Sequence, residues 1–93
     1  MFIQDCTLHS LKNNNLCFFL HFIISHEFKT PLDITVQFDP IGDNTWMNYK
    51  TFKVLPNIKF EHKFSNLIQA RWIRFISNKG ARLTTWLEYN TKP

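Results

Sequence analysis

The sequence is poor in glycine and cysteine, and it lacks any long apolar run. Two glycines and two cysteines occur in 93 residues. Because Cys6 and Cys17 lie close together near the start, a disulfide between them would close only a local loop and would not define the fold. The longest apolar run, LCFFLHFII at residues 16–24, is interrupted by His21 and is too short to span a membrane.

The same apolar run does not have the flanks of a signal peptide. Asp5 and Lys12 precede it where a basic cluster is expected, and SHEF follows it where small cleavage-site residues are expected. No leader is therefore recognised in this chain.

Aromatic side chains and a basic balance are what the chain does have. Ten Phe, three Trp and two Tyr supply enough buried area for one domain to fold. The net charge is +4, but Lys and Arg occur singly among acidic residues, as they do on solvated strand faces. We predict a single domain over residues 1–93, with residues 1–20 as an irregular lead-in.

Alternation of apolar and polar residues predicts β-strands. Residues 32–39 and 58–64 alternate cleanly. Residues 46–54 do so only at their end, where Phe52 and Val54 oppose Thr51 and Lys53, and Tyr49 is out of phase, so we predict a bulge near Tyr49. The crowded apolar residues after Cys17 predict a strand buried on both faces. No segment has a helical period and turn signals recur about every ten residues, so we predict an all-β antiparallel sandwich of about six or seven strands.

The stretch ARWIRFISNKGARLTTWLEYN, residues 70–90, predicts a hairpin. Its loop would be Asn78-Lys79-Gly80, with Gly80 in the left-handed conformation. In that register Trp72 and Trp86 are cross-strand partners on an outward face, which also carries Arg74, Arg82, Thr84 and Glu88. The opposite face carries residues that we expect in the core with Ile34, Val36, Phe38 and Phe60, namely Phe75, Leu83 and Leu87.

The order of these pieces from Ser25 onwards, SHEFKTPLDITVQFDPIGDNTWMNYKTFKV, then HKF, then ARWIRFISNKGARLTTWLEY, resembles a known module. It is similar to the small β-sandwich at the C-terminal end of long secreted proteins of gut Bacteroidetes, many of them glycan-active or sialidase-like. The resemblance implies an immunoglobulin-like sandwich in an extracytoplasmic, periplasmic or secreted, setting. It also implies an accessory role beside a larger partner domain.

Catalytic and metal-binding patterns are weak. Ser25, His26 and Glu27 have the right types for nucleophilic catalysis, but consecutive strand residues point to opposite faces. The residues that could bind a metal lack zinc-site spacing, and we predict no metal and no cofactor; they are His9, His21, His26, His62, Cys6 and Cys17. Glycosidase chemistry needs a pair of carboxylates in a cleft, and nothing singles out two of the seven acids. We predict that the chain is not an enzyme.

Three binding roles remain. The first is docking on, or spacing of, a neighbouring domain of a parent protein. The second is carbohydrate binding, because sugar rings stack on exposed aromatic side chains. The third is single-stranded nucleic acid, which is disfavoured because the basic residues form no stripe. The candidate ligand-binding residues are Trp46, Tyr49, Trp72, Arg74, Arg82 and Trp86.

Overall fold

The computed structural model describes residues 2–5 and 17–91, and the side chains of residues 18–64 and 69–90. The described residues form seven β-strands and no helix, which confirms the all-β prediction. The strands are β1 (Phe2–Asp5), β2 (Cys17–His26), β3 (Leu32–Asp39), β4 (Met47–Val54), β5 (Phe60–Ala70), β6 (Trp72–Ser77) and β7 (Leu83–Thr91). No membrane-spanning helix occurs in this part of the chain.

The strands form two antiparallel sheets that pack face to face. One sheet has four strands in the order β1-β6-β3-β4, and the other has three in the order β5-β2-β7. After the β3–β4 hairpin the chain changes sheet at each connection, because β5 and β7 belong to one sheet and β6 to the other. This alternation separates residues that are close in sequence.

Phenylalanine fills the space between the sheets. Phe22 on β2 is fully buried, and its ring lies 5.1 Å from that of Phe75 on β6 and 5.7 Å from that of Phe52 on β4. The buried apolar side chains are Phe19, Phe22, Ile24, Leu32, Ile34, Val36, Phe38, Phe52, Val54, Ala70, Ile73 and Phe75. Large rings from both sheets therefore give a short chain a continuous core.

Several strand predictions are confirmed. The predicted strand 32–39 coincides with β3, and its alternate residues Ile34, Val36 and Phe38 are buried. The predicted bulge is present, because Val36 pairs with Lys50 while Gln37 pairs with Asn48, which leaves Tyr49 without a counterpart. The remaining expected core residues also face inward: Phe75 is buried, and Phe60, Leu83 and Leu87 are partly buried against the core.

The predicted hairpin is wrong. Both edges of β6 are occupied, by β1 on one side and by β3 on the other, so β7 pairs with β2 in the other sheet. The Asn78 side chain accepts a hydrogen bond from the Asp33 N–H at 3.1 Å, which attaches the loop to β3. Gly80 does not adopt a positive φ; among the described glycines only Gly42 does, at 83°.

Trp72 and Trp86 consequently belong to different sheets. Trp72 pairs with Asp39 of β3, whereas Trp86 pairs with Ile23 of β2. Each projects from the outer face of its own sheet, so the two indoles lie on opposite sides of the sandwich. The expectation of one shared aromatic surface is therefore wrong.

Three further features differ from the predictions: the lead-in, the burial of β2 and the range of β5. The irregular lead-in predicted for residues 1–20 is wrong in two places, because Phe2–Asp5 forms a strand that pairs with β6 and because β2 begins at Cys17. Residues 6–16, including Cys6 and His9, lie outside the described part. β2 is buried on one face and only half-buried on the other, because the second sheet covers one side alone. β5 begins at Phe60 and continues to Ala70, beyond the predicted 58–64.

Candidate functional site

The six candidate residues lie in separate places. Trp46, Trp72 and Arg74 gather on the outer face of the four-stranded sheet, Trp86 projects from the three-stranded sheet, and Arg82 precedes β7. Tyr49 points inward and packs against the core. The candidate residues therefore do not share the one outward face that was predicted for Trp72 and Trp86. They lie on the outer faces of both sheets and, for Tyr49, against the core.

The first surface is a cleft, which we call the Trp46–Trp72 cleft. It has a volume of about 290 Å³ and is lined by Asp39, Gly42, Asn44, Trp46 and Trp72. The Trp46 indole N–H donates to the Asn44 side-chain oxygen at 2.8 Å. This bond fixes the orientation of the Trp46 ring, which forms one wall of the cleft.

Arg74 holds Trp46 from the sheet side. Its guanidinium carbon lies 4.0 Å from the centre of the Trp46 ring, a cation–π stack. Its Nε–H donates to Gln37 Oε1 at 2.6 Å, and the Gln37 amide in turn donates to Asn48. Arg74 therefore acts as a support for the indole, and one face of the Trp46 ring is already covered.

A buried carboxylate shapes the loop that carries the cleft. Asp39 is only 2% exposed, and its two oxygens accept hydrogen bonds from the backbone N–H groups of Gly42 at 2.9 Å and Asn44 at 2.8 Å. Gly42 has no Cβ, which is required there because a Cβ would lie 2.5 Å from Arg71 Cδ and because φ is 83°. These contacts hold residues 40–46 in one conformation.

The second surface, which we call the Trp86 face, is the outer side of the three-stranded sheet. It consists of His21, Ile23, Ser25, Lys59, Glu61, Thr84, Trp86 and Glu88. Trp86 is 52% exposed and, with Ile23, lines a shallow groove of about 400 Å³. The face thus presents a large apolar ring to its surroundings.

Charged groups border one end of the Trp86 face. The His21 ring packs edge-on to the Trp86 ring, with centres 5.1 Å apart. His21 Nδ1 lies 3.3 Å from Glu88 Oε1, and its Nε2 lies 3.7 Å from Glu61 Oε2. An acidic pair therefore flanks the aromatic centre on this side, while Lys59 lines the groove on the other.

Tyr49 has a structural partner. Its hydroxyl and His62 Nε2 are hydrogen-bonded at 2.8 Å among the rings of Phe22, Phe52 and Phe64. Burial, with the Lys50 ammonium as the smaller cause, lowers the pKa of His62 below its ordinary value of 6.5. The neutral imidazole ring is therefore favoured, which suits a hydrogen bond that is surrounded by apolar side chains.

His26 also has both ring nitrogens engaged. Its Nδ1 accepts the Phe28 N–H at 3.1 Å, and its Nε2 donates to the Val54 carbonyl oxygen at 2.8 Å. Neither nitrogen is available as a base toward Ser25. Among the side chains that the structure describes, no group of three His, Cys, Asp or Glu residues is arranged so that it could hold a metal ion.

Comparisons with protein-family models, with curated proteins and with solved structures give no match.

Sequence reasoning missed most of the Trp86 face. Ile23 and His21 are brought to Trp86 by pairing of β2 with β7, across more than sixty positions of the chain. The one local signal was His21, a polar residue that interrupts the apolar run of β2. It lies beside a bulge at Leu20, which turns its side chain outward toward Glu88.

Proposed function

We propose that this chain is a non-catalytic accessory module that docks on another protein surface through the Trp86 face. The observation that carries the proposal is the half-exposed Trp86 beside Ile23 and an open apolar groove. Large apolar rings exposed on a sheet, bordered by charged groups, are typical of interaction surfaces.

The exposed half of the Trp86 ring is large enough to contribute substantially to the binding of a protein partner. Covering the exposed half of the Trp86 indole contributes roughly 2–3 kcal/mol. Such a ring at the centre of an interface, with charged groups at its rim, is the usual arrangement of a binding hot spot. Lys59 and the Glu61–Glu88 pair supply that rim here.

The proposed setting is outside the cytoplasm, within a larger protein. This part of the proposal comes from the resemblance of residues 25–90 to accessory modules of secreted proteins. The docking partner would then be a neighbouring domain of the same protein, and the Trp86 face would be the contact surface.

Site-specific photo-crosslinking tests the docking role. We expect benzoylphenylalanine at position 86, in the cells that make this protein, to form a covalent adduct with one defined surface. The adduct is located by mass spectrometry of the crosslinked peptides, which detects a surface of the same polypeptide as well as one of another. The same group at Lys53, which is exposed on the outer side of the four-stranded sheet, is the matched control and should give none. Equal adducts from both positions, or none from position 86, would contradict the proposal.

The Trp86→Ala variant separates docking from folding. Because the indole is half-exposed, we expect the isolated chain to lose about 1 kcal/mol or less of unfolding free energy, measured by urea denaturation. A loss of about 3 kcal/mol or more would mean that Trp86 acts in the core, and would remove the reason to regard it as a contact residue.

Carbohydrate binding at the Trp46–Trp72 cleft is the second candidate. The observation in its favour is that two indoles and the Asn44 side chain line one small cleft, which combines apolar stacking walls with a hydrogen-bonding group. Titration with a panel of neutral glycans should change tryptophan fluorescence in the unmodified chain and not in Trp72→Ala. An unchanged signal with every glycan would dismiss this candidate.

Single-stranded nucleic acid receives less support from the geometry. The Arg74 guanidinium stacks on Trp46, and its Nε–H is bonded to Gln37. Arg82 belongs to the segment that enters the other sheet, so the two arginines do not form one phosphate-binding track. We do not extend the proposal to nucleic acid.

A further inference from the structure

The edges of the two sheets differ in how well they are protected against pairing. An edge strand exposes backbone N–H and C=O groups, and proteins obstruct it with short length, lysine, proline or a bulge. In the described part of the chain the edge strands are β1, β4, β5 and β7. The first three carry such features.

β1 has only four residues. β4 carries Lys50, Lys53 and the bulge at Tyr49. β5 is interrupted, because its pairing with β2 jumps from Ile68 to Lys63 where β2 advances by two residues. Each of these edges is therefore a poor template for a further strand.

β7 has none of these features. It is nine residues long, its sequence LTTWLEYNT contains no lysine, proline or glycine, and the extra residue of its pairing with β2 lies in β2. From Leu83 to Glu88 its second edge pairs with no strand that the structure describes. This edge also borders the Trp86 face.

The charges near this edge are complementary to themselves. Arg82, Thr84, Trp86 and Glu88 are exposed along one side of the strand. If two copies pair antiparallel about a two-fold axis at Thr85, Arg82 of one copy faces Glu88 of the other, and this occurs twice. It is the one antiparallel register that places these two residues opposite each other.

The apolar side of the strand fits the same register. Leu83 and Leu87 are only partly buried against the core. With Thr85 on the axis, Leu83 of one copy faces Leu87 of the other, and the pairing would cover both. Trp86 would face Thr84 of the second copy and approach its Trp86 diagonally.

We propose that β7 pairs with β7 of a second copy about a two-fold axis at Thr85, which joins two three-stranded sheets into one six-stranded sheet. The inference goes beyond the proposed docking function. It names a second copy of this chain as the partner at the β7 edge, whereas the Trp86 face docks on a neighbouring domain. The Arg82–Glu88 pairs set the register, and the covered Leu83 and Leu87 side chains add apolar contact.

Charge reversal tests the register by sedimentation analysis of the full chain over a range of concentrations. Arg82→Glu and Glu88→Arg should each raise the dimer dissociation constant about tenfold, because two ion pairs become repulsive pairs. The double variant restores opposite charges and should return to within about threefold of the unmodified chain. Lys53→Glu, a charge reversal on the outer side of the four-stranded sheet, is the matched control and should not change the constant.

Two outcomes would overturn this inference. One is a monomer at every concentration up to about 1 mM. The other is a dimer that either reversal leaves intact or that the double variant does not restore. A monomer whose position-86 adduct maps to a peptide outside the 93 residues of this chain would leave the docking function standing.

Discussion

Phe22→Ala should lower the unfolding free energy by about 3–5 kcal/mol, measured by urea denaturation. Phe22 is fully buried on the central strand of the three-stranded sheet. Its ring packs against side chains of both sheets, among them Phe52, Phe64 and Phe75. The substitution would leave a cavity between the sheets that close-packed rings cannot fill.

Phe22→Leu is the matched control for this prediction. Leucine keeps most of the apolar volume, so we expect a loss of about 1–2 kcal/mol. If alanine costs no more than leucine, the two sheets do not pack through this ring and the core described above is wrong.

Asp39→Ala should lower the unfolding free energy by about 2–4 kcal/mol and should loosen the Trp46–Trp72 cleft. The carboxylate accepts two backbone N–H groups, and hydrogen bonds to a charged acceptor contribute about 1.5–3 kcal/mol each. Without it, residues 40–46 lose their internal anchor. We expect stronger acrylamide quenching of tryptophan fluorescence, because Trp46 is carried by this loop.

Asp39→Asn provides the graded comparison. The amide keeps one oxygen acceptor, so its cost should fall between zero and that of alanine, at about 1–2 kcal/mol. A variant with alanine that keeps both the stability and the quenching of the original chain would show that the loop does not depend on Asp39.

The alternation of apolar and polar residues was sufficient to predict the position of several strands and the face that each buries. Period-two alternation located β3 to the residue, and the out-of-phase Tyr49 predicted the bulge in β4. Which residues of β6 and β7 face the core was also predicted, because alternation alone decides it.

Pairing between strands could not be obtained in the same way. The loop Asn78-Lys79-Gly80 suits a hairpin, but a loop of this length can also cross between sheets, and the chain crosses because β3 and β1 occupy both edges of β6. The same long-range pairing places Ile23 beside Trp86. The sequence therefore predicted an exposed Trp86 without predicting the surface around it.

Trp72 and Trp86 lie on opposite outer sides of the sandwich, and this placement is what separates the docking face from the cleft. Spin labels attached at Trp72→Cys and Trp86→Cys, with Cys6 and Cys17 changed to serine, test this placement directly. Electron paramagnetic resonance then measures the distance between the two labels. Sheets about 10 Å apart with labels on their outer sides predict a distance of roughly 20 Å or more. Cross-strand partners would lie about 5 Å apart at Cα, so a label distance below about 10 Å would mean that the two residues share one face and that the two surfaces are not separate.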